Sequence, residues 1–423
     1  MKRVLVLNGG GSRGAYQIGA WRAFNELGVR FSAVYGTSIG ALNAALFAQG
    51  DLPRAERIWE NITMNQIVAV EDEEHFAIER MVSRKRDVIP FLVENARHLR
   101  MDIAPLEKLV RKNIDEARVR TQGMDLGVMT FRVPQLTGVP MTLENMEPGS
   151  LGDWVLASAS CFPIFPARRV GGQRYIDGGY CDNLPIDLAL TRGADEVIAV
   201  ELHPEPTHPE YSHMPWLTTI KPRRELGGFL DFKPEPLRTS RRLGYCDAMK
   251  ALGGLDGFRY TFRPVHMLSV APRARRWVGA MSRFDAELMS RGALNPNATS
   301  TASLLSALEK ETGGAKLSWK DAWLRGVELV AEVMEYREDV VYNAEALLRH
   351  VREYCRGQSF DPGFDEAGIA AAAQAGSRRL LAYLTRQLES GDGFPAPLRR
   401  KLAESPAVTA AAMMLALDQE TEY

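Results

Sequence analysis

Phe31-Ser32-Ala33-Val34-Tyr35-Gly36-Thr37-Ser38-Ile39-Gly40-Ala41-Leu42-Asn43-Ala44-Ala45 is the stretch around which the rest of the chain is organised. It predicts a short strand, a sharp turn and a helix. A serine at the centre of such a turn sits on a strained elbow. Its neighbours Gly36 and Gly40 are small because bulk there would clash, so the hydroxyl stands clear of the sheet. That arrangement presents a nucleophile. G-x-S-x-G is a weak signal by itself, and its surroundings must carry the assignment.

Upstream, Val4-Leu5-Val6-Leu7-Asn8 runs into Gly9-Gly10-Gly11-Ser12-Arg13-Gly14 and then a helical pattern from Ala15 to Trp21. An apolar strand thus feeds a glycine loop that opens a helix. Bare amides at a helix N-terminus seek negative charge, and glycines let that charge come close. Two anions fit: a bound phosphate, or the oxyanion of an acyl transfer. Gly9, Gly11 and Gly14 also spell the dinucleotide fingerprint G-x-G-x-x-G. That site needs a carboxylate at the end of the second strand, about 20 residues on. Here that place holds Thr37 and Ser38, which favours acyl transfer.

The third element is Arg174-Tyr175-Ile176-Asp177-Gly178-Gly179-Tyr180, a short strand ending in an aspartate and two turn-forming glycines. Asp-Gly-Gly is commonly only a turn. A carboxylate so placed can also accept a serine's proton.

These three blocks, in this order, resemble the signature blocks of the patatin-like phospholipases, a family of lipid acyl hydrolases. The resemblance covers about residues 1–265. It implies an α/β fold, a three-layer α/β/α arrangement around a mostly parallel sheet, and a Ser-Asp dyad in place of a triad. By position, Ser38 is the nucleophile and Asp177 its base. Gly9, Gly10, Gly11 and Arg13 form the oxyanion hole, and Gly14, Gly36, Gly40, Gly178 and Gly179 support the motifs. Asn8 stands where many members have Asp or Ser, a departure expected to lie outside the chemistry. No metal or organic cofactor is implied.

Composition sets the wider frame. The chain has 423 residues, 45% hydrophobic and 25% charged, with a net charge of -1. That length exceeds one typical core, so a large α/β unit and a second region are expected; the resemblance implies a catalytic domain at 1–265, which leaves a helical C-terminal region of unknown role at 266–423. A chain without basic excess gives nucleic acid no support as a partner. Four cysteines without C-x-x-C spacing suit reduced thiols in a cytoplasmic protein. Cys181, near Asp177, reads first as a buried, inert thiol and second as a reactive thiol near the site. The apolar run at residues 4–7 is too short for a signal peptide's core, and no stretch reaches 18 apolar residues, so neither a leader nor a spanning helix is expected.

Helices are expected at 52–62, over the charged region up to about 120, and at 152–160, 184–191 and 234–252. Strands are expected at 125–132, 137–143 and 196–201, with a last edge strand at 258–262. Phe76, Met81, Phe91 and Leu92 read first as a core face and second as a pocket wall. Glu71-Asp72-Glu73-Glu74 reads as a solvated turn. Phe162, Ile164 and Phe165 are candidates to contact an acyl chain, with core packing as the alternative. His203, His208 and His213 follow Asp177 in the order of an ordinary hydrolase triad. Histidine, with a pKa of about 6.5, suits serine activation better than aspartate at about 3.9. Their proline-rich loop, however, reads as solvent-exposed, and the resemblance favours the dyad.

Beyond Val265, a loop is expected at 295–300 and helices at 304–311, 318–335, 340–355, 366–388 and 406–417. The basic clusters Arg84-Lys85-Arg86, Lys221-Arg223-Arg224, Arg238-Arg241-Arg242 and Arg273-Arg275-Arg276 read as scattered solvated surface, with peripheral contact to an anionic membrane as the alternative. The expected activity is hydrolysis of phospholipid or lysophospholipid esters through an acyl-Ser38 intermediate. The alternatives are a lipid acyltransferase and a non-catalytic lipid-binding or regulatory protein whose C-terminal region meets a protein partner.

Overall fold

The computed structural model describes residues 1–69, 101–162, 164–290, 303–309, 316–360, 365–390, 394 and 398–418. Sequence readings at 71–74, 76, 81, 84–86, 91, 92 and 295–300 lie outside these residues. The chain divides into two compact units, Met1–Leu252 and Gly253–Tyr423.

The first unit is built on an eight-stranded sheet. Strands β1 (Arg3–Leu7), β2 (Ala33–Thr37) and β7 (Glu196–Val200) are almost wholly buried apolar runs, as parallel strands covered on both faces must be. β7 pairs with β1, and β1 with β2, all in parallel. Beyond β7 lies the parallel strand β8 (Leu217–Ile220), which the polar loop before it hid from sequence reading.

One face of the sheet, lined by Val4, Val6, Ala33, Tyr35, Val197 and Ala199, packs on Leu184 and on Ile186 and Ala189 of helix α7 (Ile186–Thr191). The other is covered by α1 (Ala15–Glu26), α2 (Ile39–Ala48) and α8 (Pro234–Ala251), completing three α/β/α layers. α1 and α8 cross at Gly19 and Gly244. A Cβ on Gly19 would lie 1.8 Å from the Arg241 carbonyl oxygen, and one on Gly244 would lie 1.9 Å from that of Tyr16. Only glycine admits this approach. Helices α3 (Leu52–Asn61), α4 (Ala104–Asn113), α5 (Glu116–Thr121) and α6 (Leu151–Ser158) complete the described frame. Asp51 caps α3 by accepting from the Arg54 amide, with Pro53 in the first turn.

Strand β3 (Asp125–Val133) organises the site. Its residues 125–129 pair in parallel with β2, Met129 lying opposite Thr37. Residues 127–132 pair with β4 (Thr137–Thr142), and residues 130–133 pair antiparallel with β6 (Gln173–Asp177), Thr130 lying opposite Asp177. A strand has two edges. With β4 on one, β2 and β6 must share the other, meeting end to end where β2 stops at Thr37 and β6 stops at Asp177. β5 (Arg168–Val170) then pairs with β6.

The second unit holds helices α9 (Met267–Ser290), α10 (Ser306–Glu309), α11 (Trp319–Val333), α12 (Ala344–Arg356), α13 (Glu366–Gln374), α14 (Ser377–Glu389), α15 (Arg399–Leu402) and α16 (Pro406–Leu417). It also holds a two-stranded ribbon, β9 (Thr261–Phe262) with β10 (Val341–Tyr342). This corrects three expectations. The edge strand expected at 258–262 belongs to this ribbon and not to the main sheet. The helix expected from 340 starts at Ala344, because residues 341 and 342 are spent on β10. The helix expected over 366–388 is two, broken at Gly376, whose φ of 106° no helix contains. Sequence reading missed α9, which carries Pro272 inside it.

The core of this unit includes Trp277, Trp323, Phe262, Leu348 and Met414. Asp418, 1% exposed, accepts from Arg273, from Arg352 at 2.8 Å and from Trp323 Nε1 at 2.7 Å. Arg273, read from sequence as part of a surface cluster, is thus buried, and it also pairs with Glu345. Removing the carboxylate leaves the buried Arg273 with Glu345 alone, Arg352 with backbone carbonyls alone, and Trp323 Nε1 without an acceptor. Asp418→Ala is expected to cost about 3–5 kcal/mol, read as a lowered urea midpoint of the full chain. No helix among the described residues is long and apolar enough to cross a membrane.

Candidate active site

Ser38 occupies the turn between β2 and α2 at φ 56° and ψ −123°, a conformation costly for a side-chain-bearing residue. The flanking glycines make the turn possible. A Cβ on Gly36 would lie 2.3 Å from the Gly40 carbonyl oxygen, and one on Gly40 would lie 2.4 Å from that of Leu7. The Ser38 amide donates to Ser158 Oγ at 2.9 Å, and that hydroxyl donates to the Met129 carbonyl at 2.6 Å. Two residues on, the Ser160 carbonyl accepts from the Asp177 amide at 2.9 Å. The end of α6 therefore clamps both halves of the site.

Asp177 is 6% exposed. Its carboxylate accepts at 2.8 Å from the Gly179 amide of the turn Gly178–Tyr180, with the Ser38 side chain beside it. Burial pushes its pKa up to about 6 against the lowering effect of the Ser38 hydroxyl and the Gly179 amide. A carboxyl tuned to that range is a far better proton acceptor for serine at neutral pH than an ordinary aspartate.

The glycine loop corrects the expected oxyanion donors. The Gly9 amide is spent on the Asn183 carbonyl at 3.0 Å, and the Arg13 amide on Gly10 at 3.3 Å within the turn Gly11–Gly14. The Arg13 side chain is drawn away to the Gly227 carbonyl at 2.9 Å. Among the described residues nothing accepts from the Gly10 or Gly11 amide. The loop lies against Ser38, since a Cβ on Gly9 would come within 3.1 Å of Ser38 Cβ.

Asn8, expected to stand outside the chemistry, is fully buried and anchors this loop. Its amide accepts from Asn183 at 2.5 Å and donates to Thr207 at 2.8 Å and to Glu201. Gln17 binds its carbonyl at 2.7 Å, and Gln17 is held by Asn43 at 2.8 Å, which takes Trp59 Nε1 at 2.9 Å. Sequence reading missed Ser158, Ser160 and Asn183, which hold the site from elsewhere in the chain. No local pattern marks them.

The model of the family described as patatin-like phospholipase matches residues 5–190, a span that includes Ser38, Asp177 and the glycine loop. Residues 5–190 are a patatin-like phospholipase domain. The chain is 31% identical over 206 residues to patatin-like phospholipase domain-containing protein 7 of Rattus norvegicus, covering 47% of this chain and 13% of that one. It is 30% identical over 216 residues to the cUMP-AMP-activated phospholipase of Escherichia coli, covering 47% of this chain and 60% of that one. Among solved structures, VipD from Legionella pneumophila aligns over 99% of this chain and 90% of its own, at 14% identity and a TM-score of 0.41.

Beyond the matched residues, His203 and His208 are engaged elsewhere. His208 lies 3.3 Å from Asp182 and 2.9 Å from Glu210, and these carboxylates hold its pKa up to about 9. It is protonated at neutral pH and has no base to offer. His203 meets the Glu205 carbonyl at 2.5 Å. The expected solvent exposure holds for His213 alone, since His203 and His208 are half-buried. His203→Ala and His208→Ala are each expected to keep ester turnover within about threefold of wild type, against the 10²–10⁴-fold loss of removing a general base, as initial rates will show.

Cys181 is exposed, correcting the expectation of burial, yet its thiol pKa is pushed up to about 11, mainly by desolvation. It donates to the Gly178 carbonyl at 3.1 Å and is a poor nucleophile there. Of the apolar candidates before β5, Ile164 and Phe165 are core residues, and only Phe162 is exposed. Among the described residues no group of three or more His, Cys, Asp or Glu side chains is placed to hold a metal ion.

Proposed function

We propose that this chain is a serine lipid acyl hydrolase that cleaves carboxylic esters of phospholipids or lysophospholipids with Ser38 and Asp177. The observation that carries the reading is the buried Asp177 carboxylate, set beside an elbow serine where β2 and β6 end on one edge of β3, with its pKa pushed up to about 6 by burial. Asp177 takes the Ser38 proton as Oγ attacks the ester carbonyl carbon. The oxygen that becomes negative is met by the Gly10 and Gly11 amides. Collapse breaks the bond to the alcohol, which leaves with the proton from Asp177, and the acyl group stays on Ser38. Water, deprotonated by Asp177, then attacks the acyl-serine; the bond to Ser38 Oγ breaks, Oγ takes the proton back from Asp177, and a fatty acid is released.

The test is incubation of the full chain with phosphatidylcholine and with lysophosphatidylcholine, products being read by mass spectrometry. Free fatty acid in step with the deacylated lipid, absent with Ser38→Ala, supports hydrolysis. Acyl chains recovered on a second lipid without fatty acid, or no product from either lipid, would overturn it.

A further inference from the structure

Past Ser38 the sheet does not end. β3 continues four residues beyond Met129, roughly 13 Å at strand rise, and carries with it β4 on one edge and β6 with β5 on the other. The result is an antiparallel ribbon standing beyond the site. Its charge is one-sided: residues 131–143 and 162–176 contain no Asp or Glu, but they contain Arg132, Arg168, Arg169 and Arg174. Arg168 is satisfied by Glu107 and by Asp153 at 2.7 Å. The other three have no carboxylate partner among the described residues, and Arg132 Nε is buried without an acceptor.

The ladder sets Arg169 directly opposite Arg174, with Val133 on the other side of Arg174. Like charges facing one another across strands are destabilising, so this pair carries a cost that an external anion would relieve. Side-chain alternation puts both on the face opposite Tyr175, whose ring packs on Trp154 of α6 at 4.9 Å. That leaves them on the face turned away from α6, and both are exposed.

Apolar exposure is concentrated at the same place. Five large apolar side chains of the first unit's described residues are exposed, and three are Leu136 at 70%, Tyr180 at 49% and Phe162 at 44%. Leu136 sits in the β3–β4 turn at φ 54°. The Tyr180 hydroxyl donates to the Phe162 carbonyl, joining the segments on either side of Asp177.

We propose that the β3–β4 and β5–β6 ribbon docks on an anionic lipid bilayer, with Arg169 and Arg174 against the headgroups and Leu136 inserted at the boundary. A cationic ribbon that carries no carboxylate beyond Asp177, has an exposed leucine at its turn and flanks Ser38 matches a charged, amphipathic surface. This inference rests on the reading of Ser38 and Asp177 as a lipid-cleaving pair. It differs from the basic clusters singled out by sequence, since Arg238 and Arg241 are paired with Glu235 and Glu60.

The experiment is sedimentation of the full chain with vesicles of phosphatidylcholine alone and of phosphatidylcholine with phosphatidylglycerol, alongside turnover of a short soluble ester. Wild type should partition onto the anionic vesicles selectively. Arg169→Gln with Arg174→Gln should weaken that partition about 25-fold, at about 1 kcal/mol per cation, with soluble-ester turnover unchanged. Arg169→Lys with Arg174→Lys should keep it, and Leu136→Ser should weaken it about tenfold. Equal partition onto neutral vesicles, no partition, an unaffected glutamine variant or loss in the lysine variant would each overturn docking. Ser38→Ala should bind vesicles as wild type does. Vesicle binding by a wild type without ester turnover would leave docking standing and remove the hydrolase reading.

Discussion

Ester turnover by Ser38→Ala is expected to fall by roughly 10⁴–10⁶-fold, the range seen when a nucleophilic serine that acts as one unit with its base is removed. The described thiols near the site give no substitute. Cys181 and Cys161 near Asp177 are held protonated, with pKa values pushed up to about 11 and about 12 by burial. The fold should survive, because the Ser38 side chain is half-buried and what pins the elbow is backbone: its amide on Ser158 and the close packing of Gly36 and Gly40. Initial rates on a soluble ester, with circular dichroism on the same sample, check both halves. Turnover within tenfold of wild type would mean that another group attacks.

Asp177→Asn is expected to cost about 10³–10⁴-fold in turnover without lowering the melting temperature at pH 8. The two halves share one cause. Burial raises the folded-state pKa from 3.8 to about 6, so between these values the folded chain holds a proton that the unfolded chain has lost. Stability therefore falls as pH rises through that window, and above it the buried, ionised carboxylate remains a cost of about 3 kcal/mol. Asparagine keeps an acceptor for the Gly179 amide and removes the buried charge, but it cannot take a proton. The wild-type rate on a soluble ester should rise with pH, with a midpoint near 6, as Asp177 ionises. Scanning calorimetry beside the pH–rate profile tests this. A variant that melts much lower would make Asp177 a structural group first.

How much of this was legible in the sequence depends on the range of the interaction. The elbow at Ser38, the loop at Gly9 to Gly14 and the turn at Asp177 are each local, and each is visible as a short run of residues whose chemistry requires it. Most of the layered fold follows from buried runs such as Val4 to Leu7, which could hardly be anything but central strands. What brings Ser38 to Asp177 is different: two strand ends sharing one edge of β3, a pairing set by Met129 and Thr130 far from either residue. Nor does any local pattern reveal that the Gly9 amide is claimed by Asn183, or that Ser158 and Ser160 clamp the pair. In the second unit, two-residue strands such as Thr261–Phe262 are too short to show alternation, and Pro272 disguised a 24-residue helix.

The central claim is that Ser38 is the group that becomes acylated. Its most direct test is to treat the full chain with a fluorophosphonate ester and map the adduct by peptide mass spectrometry. The account predicts a single adduct on the peptide containing Ser38, forming faster as pH rises through about 6. An adduct on any other residue, or a folded protein that takes no label, would contradict it.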